Sequence, residues 1–142
     1  MKFKDEQIIH QLRVDARTPL TTLAKRTGIP TSTLFDRIKK QEECVIKGYT
    51  SLLDFEKLGL KTFTILISTP TKKELVEFLK FHPNVNSLSR LGNGYDFIVE
   101  GVFRGEKEAE KFISGIQKDF EVNDILTINI SEDLKREGFF EV

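Results

Sequence analysis

The residues best suited to chemistry in this 142-residue chain gather in one short stretch, GIPTSTLFDRIKK, residues 28–40. Thr31, Ser32 and Thr33 put small hydroxyls in the opening turn of an expected helix, and Arg37, Lys39 and Lys40 put positive charge at its far end. The first-turn amides of a helix attract phosphate oxygens, and arginine and lysine add charge-assisted contacts along a polyanion. On a helical wheel Leu34 and Ile38 mark the inner face, while Ser32, Thr33, Asp36, Lys39 and Lys40 point outward with Phe35 and Arg37 on the flanks. Asp36 runs against a purely electrostatic surface. It suits a cytosine amino group, and it equally suits an ion pair with Lys39 or Lys40 at helical spacing. The bland alternative is a solvated helix in a small bundle; the pattern favours duplex DNA.

Other reactive side chains are sparse. His10 falls opposite the apolar stripe of its helix, and His82 stands at a helix end before Pro83, where a histidine satisfies carbonyls. Neither has a second ligand at metal spacing. The lone Cys44 excludes an intrachain disulfide and a cysteine zinc cage, and it has no base beside it. No catalytic residue, metal or cofactor is expected. Hydrophobic content of 39% with 12 Phe and no Trp describes an ordinary globular chain. The charged start MKFKDEQII and the lack of a long apolar run predict a cytoplasmic protein with no membrane partner. The formal charge of zero divides unevenly: residues 1–50 hold 10 Lys/Arg against 6 Asp/Glu, and the remainder is acidic to match. Only the first part is suited to approach a polyanion.

The elements that must position the stretch follow from periodicity. Residues 5–16 place Ile8, Ile9, Leu12 and Ala16 on one helical arc. Thr18-Pro19 then reads as an N-cap with proline in the first turn of a second helix, which buries Leu20, Leu23, Ala24 and Thr27. Gly28 stands where a left-handed C-terminal residue belongs, Ile29 supplies the accompanying apolar contact, and Pro30 opens the third helix. Helix, glycine turn, helix is a helix-turn-helix pattern. Residues 45–55 are strand-like, and 49–61 form the expected linker. Strands at 62–68, 85–90, 95–103 and 125–131 alternate with helices at 72–81 and 106–118, and a Gly-Asn-Gly turn joins the middle two strands. The predicted fold class is therefore α+β. A winged-helix-like helix-turn-helix domain over residues 1–48 is joined by a linker strand to a ferredoxin-like βαββαβ domain over 62–142. One sheet face of that domain would be bare, which predicts self-association.

The run DEQIIHQLRVDARTPLTTLAKRTGIPTSTLFDRIKK, followed by VIKGY, resembles the N-terminal domain of the Lrp/AsnC family of transcriptional regulators. The most specific pieces are Asp15-Ala16-Arg17, Leu23-Ala24, Ser32-Thr33-Leu34, Arg37-Ile38-Lys39, Val45-Ile46-Lys47-Gly48-Tyr49 and Tyr95-Asp96-Phe97. The resemblance covers essentially the whole chain. It implies a DNA-binding regulator built as a homodimer or an octamer, with a small amino-acid effector bound near the Gly-Asn-Gly hairpin. Carried onto this sequence, the effector residues would be Gly92, Asn93, Gly94, Tyr95 and Asp96, with loop amides holding a carboxylate and Asp96 an ammonium; Thr127 is a further contact. The DNA-binding set would be Thr31, Ser32, Thr33, Phe35, Asp36, Arg37, Lys39 and Lys40.

Two departures stand out. Gln41 and Cys44 occupy positions where the family carries leucine and glycine, and Gly92 lies one residue too far from Asp96. An interaction module with weakened DNA binding is therefore one alternative. A haem-pathway decarboxylase-like enzyme is the other, although the chain has no histidine after His82 and only Arg90, Arg104 and Arg136 in its second domain.

Overall fold

A computed structural model of the chain describes residues 2–92 and 94–139. The chain divides into two compact units, one comprising Met1–Leu52 with the segment Lys135–Val142 and the other Leu53–Leu134.

The first unit contains three helices, α1 (Phe3–Val14), α2 (Leu20–Thr27) and α3 (Thr31–Cys44). Ile8, Leu12, Leu23, Ile29 and Leu34 form its buried core, with Leu20, Ala24, Ile38 and Ile46 packed against it. α1 stops two residues short of the expected end, so Ala16 is exposed. The cause is local: the Asp15 carboxylate accepts from Arg17 N (2.9 Å), and the Asp15 carbonyl accepts from the Thr18 hydroxyl (2.7 Å). These bonds favour a turn over another helical residue. They also engage the Thr18 hydroxyl, so Thr18 does not cap α2; Pro19 holds the N-cap position in an extended conformation. Gly28 is left-handed as expected (φ 69°), its N–H closes on Ala24 O at 2.9 Å, and Ile29 is buried behind it.

α3 continues to Cys44, four residues past Lys40. Gln41 is buried at 5% exposure, and its carbonyl accepts from both Val45 N and Ile46 N at 2.8 Å. Val45 ends the helix in a right-handed conformation (φ −117°, ψ −40°), so no left-handed residue is needed near position 44 and a cysteine there carries no backbone strain. The linker strand expected from residues 45–55 is not formed within the chain, and no wing strands occur among the described residues of this unit. Strand propensity needs a ladder partner to be realised.

The second unit opens with a single 3-10 turn (Glu56–Leu58). It then runs β1 (Lys61–Ser68), α4 (Lys72–Phe81), β2 (Val85–Arg90), β3 (Phe97–Phe103), α5 (Glu106–Asp119) and β4 (Asp124–Ile130). The sheet order is β2-β3-β1-β4 with every neighbour antiparallel, the ferredoxin-like arrangement. Phe63, Ile65 and Ile67 of β1 pair in register with Gly101, Val99 and Phe97 of β3. They form one core with Leu75, Leu79, Phe103, Ala109, Phe112 and Ile116. The alternate residues Leu66, Ile98, Leu126 and Ile128 lie on the opposite sheet face, where Leu126 and Ile128 are 44% and 42% exposed. The segment from Lys135 belongs with the first unit, whereas the sequence reading carried the second domain through to residue 142.

Candidate nucleic-acid interface

α2 and α3 meet through the left-handed Gly28, and Leu23, Ile29 and Leu34 lock the corner from inside. The opposite side of α3 is open. Thr31, Ser32, Thr33, Phe35, Asp36, Lys39 and Lys40 are all exposed, and no ion pair involves Asp36, Lys39 or Lys40 among the described residues. Of the two alternatives for Asp36, the ion pair with Lys39 or Lys40 is therefore not made among the described residues.

Arg37 has an intramolecular partner. Its Nη1 lies 3.0 Å from Asp5 Oδ1 of α1, with the two side chains 28% and 14% exposed. This half-buried pair turns the guanidinium inward and fastens α3 to α1. Arg26 similarly reaches from α2 to Gln11 of α1 at 2.9 Å. Sequence spacing could not reveal either contact, because partners many residues apart leave no periodic trace. Just past α3, Tyr49 donates to Glu42 at 2.9 Å; partial burial, then that carboxylate, raises its phenol pKa.

The hairpin loop is also more committed than its sequence suggests. The Asp96 carboxylate accepts from Thr69 N (2.9 Å) and faces Lys72 Nζ (3.2 Å), while its backbone bonds Ile67 O and Leu91 N. The Thr69 amide, then Lys72, lowers its pKa. Asp96 thus clamps the β3 start to the β1–α4 loop, so an ammonium ligand would have to compete with Lys72. Tyr95 donates to Asp124 at 2.7 Å, and that bond raises its pKa. Gly94 is left-handed (φ 76°), Gly92 is not, and Asn93 lies outside the described residues. Thr127 is exposed on β4 opposite Ile65, three residues beyond Asp124, so about 10 Å along the strand from Tyr95's partner.

The two histidines and the cysteine form no ligand set, and among the described residues no cluster could hold a metal ion. His10 is half-buried, where exposure was expected. The His82 backbone N–H bonds the Leu79 carbonyl of α4 at 3.3 Å, but its imidazole has no helix carbonyl as partner among the described residues. Its Nδ1 accepts from Asn84 N (3.2 Å), its ring packs on Phe78 and Phe112 at 5.2 and 4.8 Å, and burial lowers its pKa.

Comparison with known proteins agrees with the geometry. The model of an AsnC-type helix-turn-helix domain matches residues 4–40, the span of α1 to most of α3. An HTH-type transcriptional regulator of Pyrococcus furiosus is 30% identical over 116 residues, covering 79% of this chain and 78% of that protein. The chain belongs to the Lrp/AsnC family of transcriptional regulators. The regulator FL11 of Pyrococcus horikoshii is similar to the same degree, 31% identical over 113 residues, with 77% of this chain and 75% of FL11 covered. Among solved structures, an AsnC family regulator from Agrobacterium tumefaciens superposes with a TM-score of 0.85 at 26% identity, over 96% of this chain and 94% of its own. A Neisseria meningitidis regulator, described as an L-Met complex, shares the fold at TM-score 0.86 and 19% identity, over 96% and 93% of the two chains. For an Lrp/AsnC protein the two-unit α+β architecture is thus accounted for, and Gln41 is the point where this chain fills a core position of the reader with an amide.

Proposed function

We propose that this Lrp/AsnC regulator docks the outer face of α3 into the major groove, reading base edges with Thr31, Ser32, Thr33, Phe35 and Asp36 and binding phosphates with Lys39 and Lys40. Arg37 orients the helix through Asp5 and makes no phosphate contact. The observation that carries this reading is the division of labour on α3, in which the outward lysines have no ion pair among the described residues while the half-buried arginine is tied inward. A face with free cations and small hydroxyls next to a helix N-terminus is what phosphate positioning and base contact need. The protein acts by occupying DNA, not by turnover.

Assembly is part of the proposal. A homodimer, with an octamer above it, would cover the exposed apolar sheet face and present two readers to half-sites about 34 Å apart or a multiple of that. An amino acid bound beside the Gly92–Asp96 hairpin would bias that assembly. The methionine carried by the Neisseria regulator supports a ligand of this class on this fold. The test joins selection of bound duplexes from a random pool with mass measurement in solution, with and without each amino acid. Lys39→Ala with Lys40→Ala should weaken binding to all duplexes and flatten the salt dependence by about two phosphate contacts. Unchanged affinity and slope would remove α3 from the interface.

A further inference from the structure

Of the residues assigned to base reading on α3, Phe35 alone has no group that can hydrogen-bond a base edge. Phe35 is 59% exposed, and among the described residues its ring touches no other ring, while Phe63, Phe78, Phe103, Phe112 and Phe120 are engaged in ring contacts. Thr31 and Ser32 lie one turn before it and Lys39 one turn after, so the phenyl stands between the hydroxyl end of the helix and its cations. A long side chain on a helix leans toward the N-terminus, which is the end that enters the groove in this kind of reader. Within the major groove nearly every group on offer is a polar base edge or a phosphate. The exception is the 5-methyl of thymine, the one apolar feature there.

We infer that Phe35 is a specificity-determining residue, which packs its ring against thymine 5-methyl groups and so selects for thymine where the middle of α3 meets the duplex. This rests on the reading of α3 as the DNA-contacting helix and adds the chemistry of one position to it. A phenyl makes no hydrogen bond to discriminate among polar edges, so its preference is for the methyl itself. The inference therefore separates thymine from uracil, which a hydrogen-bonding side chain would not distinguish.

The experiment uses the full-length protein and duplexes selected from a random pool. Each thymine of a selected site is replaced in turn by deoxyuridine, which lacks only the methyl, and affinities are measured for wild type, Phe35→Ala and Phe35→Leu. At one or two positions in each half-site the replacement should weaken wild type about fourfold, the factor that accompanies burial of one methyl-sized group. Phe35→Ala should bind thymine and uracil duplexes alike, and Phe35→Leu should keep part of the difference. Because Phe35 is exposed, circular dichroism melting should be the same for all three proteins. Wild-type binding that ignores uracil at every position would overturn the inference and leave the α3 docking intact, as would an equal loss in Phe35→Ala. Failure of wild type to bind any duplex would overturn both.

Discussion

The two units of this regulator are held together by different means. In the sheet unit eleven buried residues, Phe63 to Ile116 in sequence order, fill the space between sheet and helices. Phe78, Phe103 and Phe112 run through that core in ring contacts of 5.3 to 6.3 Å. Among the described residues the reader unit buries five apolar ones. It supplements them with side-chain contacts across the sequence: Arg37 to Asp5, Arg26 to Gln11, and Arg13 to Glu137. A small unit cannot bury enough carbon to fix its helices by packing alone. Polar ties then help fix α2 and α3 on α1, and under the proposed docking they would set the angle at which α3 meets a groove.

The widest test of this contrast is truncation in the smaller core. Leu34→Ala removes a fully buried side chain that α3 presents to α1 and α2. A loss of about 2–5 kcal/mol is expected for such a cavity, a large share of what a small unit has. Thermal unfolding followed by circular dichroism should then split into two transitions. DNA binding should disappear while the sheet unit stays folded. A single transition shifted as a whole would mean that the units are not energetically separate.

Next in size is the ion pair. Arg37→Met keeps the aliphatic reach but leaves the Asp5 carboxylate half-buried and without its partner, at a cost of about 1–3 kcal/mol to the reader. Because Arg37 is assigned to orientation, the salt slope of DNA binding should match wild type even where affinity falls. A slope reduced by one contact would return Arg37 to the phosphate-binding set. Asp5→Asn should reproduce the stability loss, which a purely DNA-contacting arginine would not predict.

What the sequence could reveal follows from the range over which each feature acts. Gly28 with Ile29, the Leu23–Leu34 corner and the alternation of Phe63, Ile65 and Ile67 are local patterns, and each stands where periodicity and turn chemistry put it. The exposed outer face of α3 was legible for the same reason. The helix ends were less so, because Asp15 and Thr18 compete for the backbone through their own side chains, and a buried Gln41 extends α3 without an apolar signal. The inward turn of Arg37 and the clamp of Asp96 on Thr69 were hidden, since each joins segments distant in sequence. A strand-like linker stayed unpaired because propensity supplies no partner.

The sheet unit has its own sensitivity, to acid. Asp96 has a lowered pKa, so its contribution to stability is present above the unfolded carboxylate value of about 3.9 and is lost as pH falls through the folded one. Asp96→Asn should therefore be less stable than wild type at pH 7, with the gap closing below about pH 4. His82 acts in a milder window. Its lowered pKa favours the neutral ring, so the folded state is undiminished above about pH 6.5 and weakens as pH drops below that, where the unfolded chain takes up the proton first. In His82→Asn the amide oxygen replaces Nδ1 as acceptor for Asn84, and the decline as pH falls below about 6.5 should flatten in denaturant titrations. A wild-type curve that is level below that pH would rule the histidine out as its source.

The smallest effect is expected where the chain end returns to the reader. Arg13 Nη2 meets Glu137 Oε2 at 3.1 Å and the Glu137 carbonyl at 3.3 Å, and Nε meets the Phe139 carbonyl at 3.2 Å. The paired side chains are 39% and 56% exposed, so water screens the charges and competes for each bond. Arg13→Ala should accordingly cost less than about 1 kcal/mol in the unfolding of the reader unit. Its signature should be local: faster hydrogen exchange at the amides of residues 136–139, with those of the Leu23–Leu34 corner unchanged. Should the variant instead destabilise the reader as much as Arg37→Met does, the chain end would be a fourth structural element of the small core, and the polar ties would rank by number of bonds and not by burial. The present ranking, with the half-buried pair above the exposed one, stands on desolvation deciding how much a charge contact is worth.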